Sequence, residues 1–185
     1  MNTEEFNEIF DAYSGRIYNY ILRAVGDRTA AEDLTQDVFI KVYNGFDGLR
    51  DKRKLSTWIY RIATNVCLDF FKSAPYIKSK NTLPIDEYEY PTSYYRDENK
   101  LVSSIEERAV NKEMKKRVRD FINDLPGDYR AVIILHDLQG FKNREIAEIL
   151  GVSTEAVKTR LHRARRRLKT VLASIYNEYK GIETL

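Results

Sequence analysis

The stretch Asn143 to Leu172, NREIAEILGVSTEAVKTRLHRARRRLKTVL, constrains this chain more than any other. Ile146, Ile149 and Leu150 fall on one face of a short helix, and Ala147 is small enough to let a second helix cross closely. Gly151 suits the positive φ of a tight turn between helices. Val152 adds a buried contact, and Ser153 is a fitting N-cap for the helix that follows. In that helix Val157, Leu161, Ala164, Leu168 and Val171 recur at spacings of 4, 3, 4 and 3, which makes one apolar stripe. Its other faces are basic: Lys158 to Lys169 holds 7 basic residues and no acid. The pattern is that of a helix-turn-helix, whose second helix lies in the major groove of duplex DNA. Guanidinium groups in its N-terminal half can pair with guanine, and the later arginines meet phosphates. A solvated basic helix on an ordinary bundle is the plain alternative. Ala147, Gly151, Ser153 and Val157 in register, ahead of an acid-free basic helix, weigh against it.

Net charge alone, +3, decides nothing; its distribution does. Residues 1–75 hold 10 basic and 11 acidic side chains, while residues 105–185 hold 17 and 12. The positive excess thus sits with the helix pair, as a polyanion-binding face requires. No apolar run approaches a membrane span, and the acidic N-terminus MNTEEFNEIF lacks a signal-peptide pattern, so a cytoplasmic protein is expected. The single cysteine, Cys67, has no intramolecular disulfide partner. It lies in the apolar-periodic run IATNVCLDFF and reads as a core thiol rather than a nucleophile.

Upstream, Phe6, Ile9, Phe10, Tyr13, Ile17, Tyr20, Ile21 and Ala24 mark an amphipathic helix over residues 3–25, with Gly15 a candidate bend. Thr29 with Glu32 forms a capping-box pattern for a second helix, Ala30 to Tyr43, with Leu34, Val38 and Val42 on one face. After a loop marked by Asn44-Gly45 and Asp47-Gly48, Ser56 is the expected cap of a third helix, Thr57 to Lys72. Residues 76–104 lack a period and carry two prolines and many tyrosines. They read as a linker able to span about 95 Å when extended. Helical periodicity returns from Ile105 to Leu125, stops at Pro126-Gly127, and resumes over Asp128 to Leu138. The expected fold is all-α: a helical domain over residues 1–75, a flexible linker over 76–104, and a helix-turn-helix domain over 105–178.

Four segments, AEDLTQDVFIKVY (31–43), STWIYRIATNVCLDFFK (56–72), LPGDYRAVIILHDLQG (125–140) and EIAEILGVSTEAVKTRLHRARRRL (145–168), resemble the extracytoplasmic function (ECF) sigma factors of bacteria. The resemblance covers both helical halves in order and leaves the linker unmatched. It implies a two-domain alternative sigma factor that binds core RNA polymerase and directs promoter-specific initiation, with no enzymatic activity, cofactor or metal. The partners it implies are core polymerase, promoter DNA and an anti-sigma factor, which in this family is often membrane-anchored.

Carried over position by position, Lys158, Thr159, His162 and Arg163 match positions that face bases of the minus-thirty-five element. Arg160, Arg166 and Arg167 are phosphate candidates. The helix Ala31 to Tyr43 matches the polymerase-clamp helix, with Asp33, Gln36 and Asp37 as polar contacts. The loop Leu49 to Leu55 matches the loop that captures an unpaired minus-ten base. There Arg50, Lys52, Arg53, Arg61 and Asn65 would line the single strand, which needs cations for its backbone and polar groups for a base edge. The loop is unusually basic. The linker acids Asp86, Glu87, Glu89, Asp97 and Glu98 could mimic RNA phosphates along the polymerase RNA path. Trp58 reads more readily as a packing residue than as a base-stacking one, and His136 as structural. Three other readings stand beside this one: a stand-alone helix-turn-helix regulator, a nucleic-acid-processing enzyme and an anti-sigma-like protein. The second has no metal cluster, nucleophile–base pair or phosphate-binding glycine loop to support it.

Overall fold

A computed structural model describes residues 2–73 and 116–182, except for the side chains of residues 171 and 174–182. The linker expected over 76–104, with its five acids, lies outside the described residues, as does the first part of the helix expected from Ile105.

Helix α1 (Thr3–Val25) runs unbroken through Gly15 and ends where Gly26 adopts the left-handed conformation. Helix α2 (Arg28–Gly45) begins earlier than the capping box suggested. Asp27, not Thr29, is its cap, accepting a hydrogen bond from the Ala30 N–H at 2.7 Å. Gly26 turns the chain sharply, so Asp27 is the first residue able to cap. Helix α3 (Leu55–Lys72) also starts early. A short 3₁₀ turn, Lys52–Lys54, feeds straight into it, and no side chain caps it, so Ser56 lies within the first turn. These three helices enclose Ile17, Tyr20, Ile21, Ala31, Val38, Val42, Ile59 and Ala63. Tyr20 shares a hydrogen bond of 2.8 Å with Thr64, whose hydroxyl in turn donates to the Tyr60 carbonyl. Cys67 is buried in this core, and burial pushes its thiol up to about 12, so it stays a neutral thiol at neutral pH.

In the second half, residues 116–124 form α4. Helix α5 (Gly127–Ile133) follows Pro126 and widens into one π-helical turn, Ile134–Leu138, closed by the Gln139 N–H on the Ile134 carbonyl at 2.9 Å. Helices α6 (Asn143–Leu150) and α7 (Thr154–Ile182) form the helix-turn-helix. Gly151 has φ 65°, the left-handed region expected of it, and the Ser153 hydroxyl accepts from the Ala156 N–H at 3.1 Å. Val132 to Leu135, Ile146, Ile149, Val157, Leu161 and Ala164 are buried.

The two halves pack together, with α3 against α6 and α5. Tyr60 stacks edge-on against Phe141, ring centroids 4.7 Å apart, and its hydroxyl donates to Gln139 at 2.7 Å. Arg130 of α5 donates to the carbonyl of Ala24 at the end of α1. A single apolar core therefore runs through both halves. Ile59 is fully buried at its first-half centre. Ile59→Ala is expected to cost about 2–5 kcal/mol, read as a lowered urea midpoint at unchanged slope.

Candidate nucleic-acid interface

Helix α7 presents three faces. Val157, Leu161 and Ala164 point inward. By the 3.6-residue period the opposite face carries Thr159, His162, Arg163 and Arg166, all exposed. Two flanks lie between. On one, Arg160 pairs with Asp128 of α5 at 3.1 Å and is 24% exposed. On the other, Arg165 pairs with Asp137 of the π-helical turn. The basic helix is thus braced on both sides by carboxylates from the helix beneath it. Among the phosphate candidates, Arg160 is therefore the one turned toward the protein, while Arg166 and Arg167 stay exposed. Arg163 lies 3.5 Å from the Tyr129 hydroxyl, at the limit of a hydrogen bond.

A concave surface of about 450 Å³ lies between α7 and the π-helical turn, lined by His136, Asn143, Lys158, His162, Arg165, Arg166 and Lys169. Sequence spacing separated the two histidines; the fold brings both to this pocket. His136 lies 2.8 Å from Asp137 and 2.9 Å from Arg165, contacts that fit the structural role expected of it. The signal was absent from the sequence because it depends on the π-helical turn, which changes the phase of residues 134–138.

In the first half, the basic loop is less free than its composition suggests. Lys52 reaches Glu5 of α1 at 2.7 Å, and Arg53 forks onto Asp51 at 3.0 and 3.1 Å. The guanidinium of Arg53 holds Asp51 below the usual carboxylate range. Arg50, Arg61 and Asn65 are exposed. Arg61 lines a cleft of about 750 Å³ between α3 and the helix-turn-helix, with Lys54, Trp58, Arg144, Glu148 and Thr154 around it. Across it Lys54 pairs with Glu148 at 3.0 Å. Trp58 packs on α2, near enough that a Cβ at Gly45 would lie 3.2 Å from its ring. Arg61 and Asn65 follow Trp58 along α3 at helical spacing, whereas Lys52 and Arg53 lie on the loop before it.

On α2, Asp33, Gln36 and Asp37 form an exposed face. Ile40, 58% exposed, continues it one turn on, and Tyr43 and Phe10 extend it, 49% and 41% exposed. Phe10 and Tyr43 rest edge-on against Phe39 and Phe6. Phe10's part in this apolar extension was hidden in the sequence because Phe10 reads as an ordinary member of the α1 stripe, whereas Ile40 falls opposite Leu34, Val38 and Val42.

The family profile of Sigma-70 region 2 matches residues 9–74, and that of Sigma-70 region 4 matches residues 115–168. The ECF RNA polymerase sigma factor SigW of Bacillus subtilis is 33% identical over 175 residues, covering 93% of this chain and 91% of SigW. The RNA polymerase sigma factor SigZ of the same organism is 33% identical over 172 residues, covering 93% of this chain and 88% of SigZ. Among solved structures, the sigma factor RpoE of Bartonella quintana, in complex with the anti-sigma factor NepR, superposes with TM-score 0.66 at 23% identity. That match covers 92% of this chain and 98% of RpoE. CnrH, in complex with the cytosolic domain of CnrY, gives TM-score 0.61 at 23% identity. With both Sigma-70 regions present in order and ECF relatives matching along nearly its whole length, the chain belongs to the ECF sigma factors of RNA polymerase.

Proposed function

We propose that this chain is a promoter-specificity subunit, not an enzyme: it binds core RNA polymerase in the cytoplasm and chooses where transcription starts. One observation carries the reading: region 2 and region 4 stand in order on one chain, each with an exposed face suited to its share of the task. Purified protein added to core polymerase is expected to produce discrete run-off transcripts from a genomic library. Transcripts no different from those of core polymerase alone would end this reading, and tight promoter binding without polymerase would favour a stand-alone regulator.

The region 4 half, residues 105–178, reads duplex DNA through α7. Lys158, Thr159, His162 and Arg163 face bases, and Arg166 and Arg167 meet the backbone, joined by Arg160 where it leaves Asp128. The region 2 half, residues 1–75, takes the unpaired strand along Arg50, Lys52, Arg53, Arg61 and Asn65. Joining the halves by a linker lets each raise the effective concentration of the other on one promoter. Control falls to an anti-sigma factor, the class of partner with which RpoE is found in its complex with NepR. Arg163→Ala is expected to relax discrimination at one base pair of the minus-thirty-five element by about 1–3 kcal/mol. Equal discrimination by mutant and wild type on a promoter-variant panel would remove Arg163 from the base-reading set.

The polymerase contact is the α2 face of Asp33, Gln36 and Asp37 together with Ile40. An aliphatic side chain more than half exposed beside carboxylates suits an interface with an apolar centre and a polar rim. Ile40→Ser should leave the thermal midpoint nearly unchanged and weaken binding to core polymerase by about tenfold, consistent with loss of one buried aliphatic contact. Unaltered polymerase affinity would exclude Ile40 from the interface.

A further inference from the structure

Arg165 stands outside the DNA-reading set above, yet its guanidinium is held by both arms. Its Nε donates to Asp137 Oδ2 at 3.2 Å, and a terminal nitrogen donates to Oδ1. The same nitrogen lies 2.9 Å from His136 Nδ1, which is also 2.8 Å from Asp137 Oδ1. That ring nitrogen accepts from Arg165 or donates to Asp137, according to where the imidazole proton sits. Burial pushes the Asp137 carboxyl up, but hydrogen bonds from Arg165 and His136 outweigh it and hold the group below the usual carboxylate range. It is therefore ionised at neutral pH.

This pair is accessible. The Arg165 side chain is 48% exposed and that of Asp137 31%. It borders the 450 Å³ concave surface around which Arg166 and Lys169 add two more cations. A helix in a major groove turns its outward face to base edges and its flanks to the phosphates on either side. Arg165 and the pocket lie on such a flank. A concave, multiply cationic surface beside a groove-reading helix fits a backbone phosphate.

We propose that Asp137 is an internal competitor of DNA: its carboxylate occupies Arg165 in the free protein, and a duplex phosphate entering the pocket takes that guanidinium over. The proposal rests on α7 being the DNA-reading helix. The exchange has a thermodynamic signature. A phosphate neutralised by a free cation releases its condensed counterion. When the cation must first leave a carboxylate, the exposed carboxylate attracts a counterion in its place. Arg165 then adds little to the salt dependence of wild-type binding.

The test is duplex binding by the full chain, followed by fluorescence anisotropy across a salt series on a labelled duplex of mixed sequence. Asp137→Asn is expected to tighten binding about three- to tenfold at low salt and to steepen the slope of log affinity against log salt by about 0.9. Adding Arg165→Gln should cancel both gains. Asp137→Ser serves as a second variant, and thermal melts establish that each variant is folded. A folded Asp137→Asn or Asp137→Ser protein with unchanged or weaker binding would overturn the proposal and leave Asp137 as a strut that positions Arg165. Arg166→Gln separates the two levels. If it leaves duplex binding unaltered, the reading of α7 as the DNA helix fails and the proposal falls with it. If it weakens binding while the Asp137 variants do nothing, the proposal alone is lost.

Discussion

The arrangement of both halves depends on one buried cation. Arg130 is 3% exposed, and a guanidinium at that depth is tolerable only where its donors meet acceptors. It donates to the carbonyls of Ala24, Asn123 and Leu125 and lies 4.8 Å from the Phe71 ring. Ala24 and Asn123 belong to the last turns of α1 and α4, where carbonyls lack an intrahelical partner and the helix dipole is negative. A single side chain from α5 thus gathers the ends of α1 and α4 and the side of α3. Gly127 makes room for it: a Cβ there would lie 3.2 Å from Phe71 and 3.3 Å from Leu68. The start of α5 can approach α3 this closely because that residue has no side chain.

Around this anchor the contacts between the halves differ in strength. Tyr60 with Phe141 and Gln139 is partly or wholly buried, so its ring contact and hydrogen bond are protected from water. Lys54 with Glu148 is more than half exposed on both sides, and such pairs contribute little once screened by salt. The rim over the cleft that holds Arg61 and Trp58 is accordingly the weak edge of the docking, and Arg130 with Tyr60 its strong one. The cations assigned to the unpaired strand lie at that weak edge or on the loop beside it.

Much of this was legible from periodicity. The apolar stripes of α1 and α7 picked out the buried Ile9, Ile17, Tyr20, Ile21, Ala24, Val157, Leu161 and Ala164, and Gly151 and Ser153 occupy the turn and cap positions their chemistry dictates. Local signals misled where two candidates competed. Thr29 had a matching Glu32, but Gly26 placed Asp27 first in line. Ser56 looked like a cap, but the 3₁₀ turn before it had already begun the helix. Contacts between elements were not legible at all. Nothing in the spacing of Asp128, Asp137, Arg160 and Arg165 says that two acids of one helix meet two arginines of another. The exposure of Phe10 was equally hidden, because it lies on the apolar stripe of α1 and a helical repeat does not record how far its neighbours cover it.

The π-helical turn at Ile134–Leu138 has a genetic consequence. A π turn holds one more residue than an α turn, so it can be gained or lost through a single codon. Removing one residue would restore α-helical phase and rotate His136 and Asp137 by about 100° relative to the helix before them. Ala131 to Ile133 precede the widened turn and would stay in place, whereas the buried Ile134 and Leu135 belong to it and would repack. An insertion or deletion at this point would therefore alter the charge beside α7 together with the two buried residues of the turn. Related chains could differ in the charge of this surface through a change in length where no residue of α7 has changed.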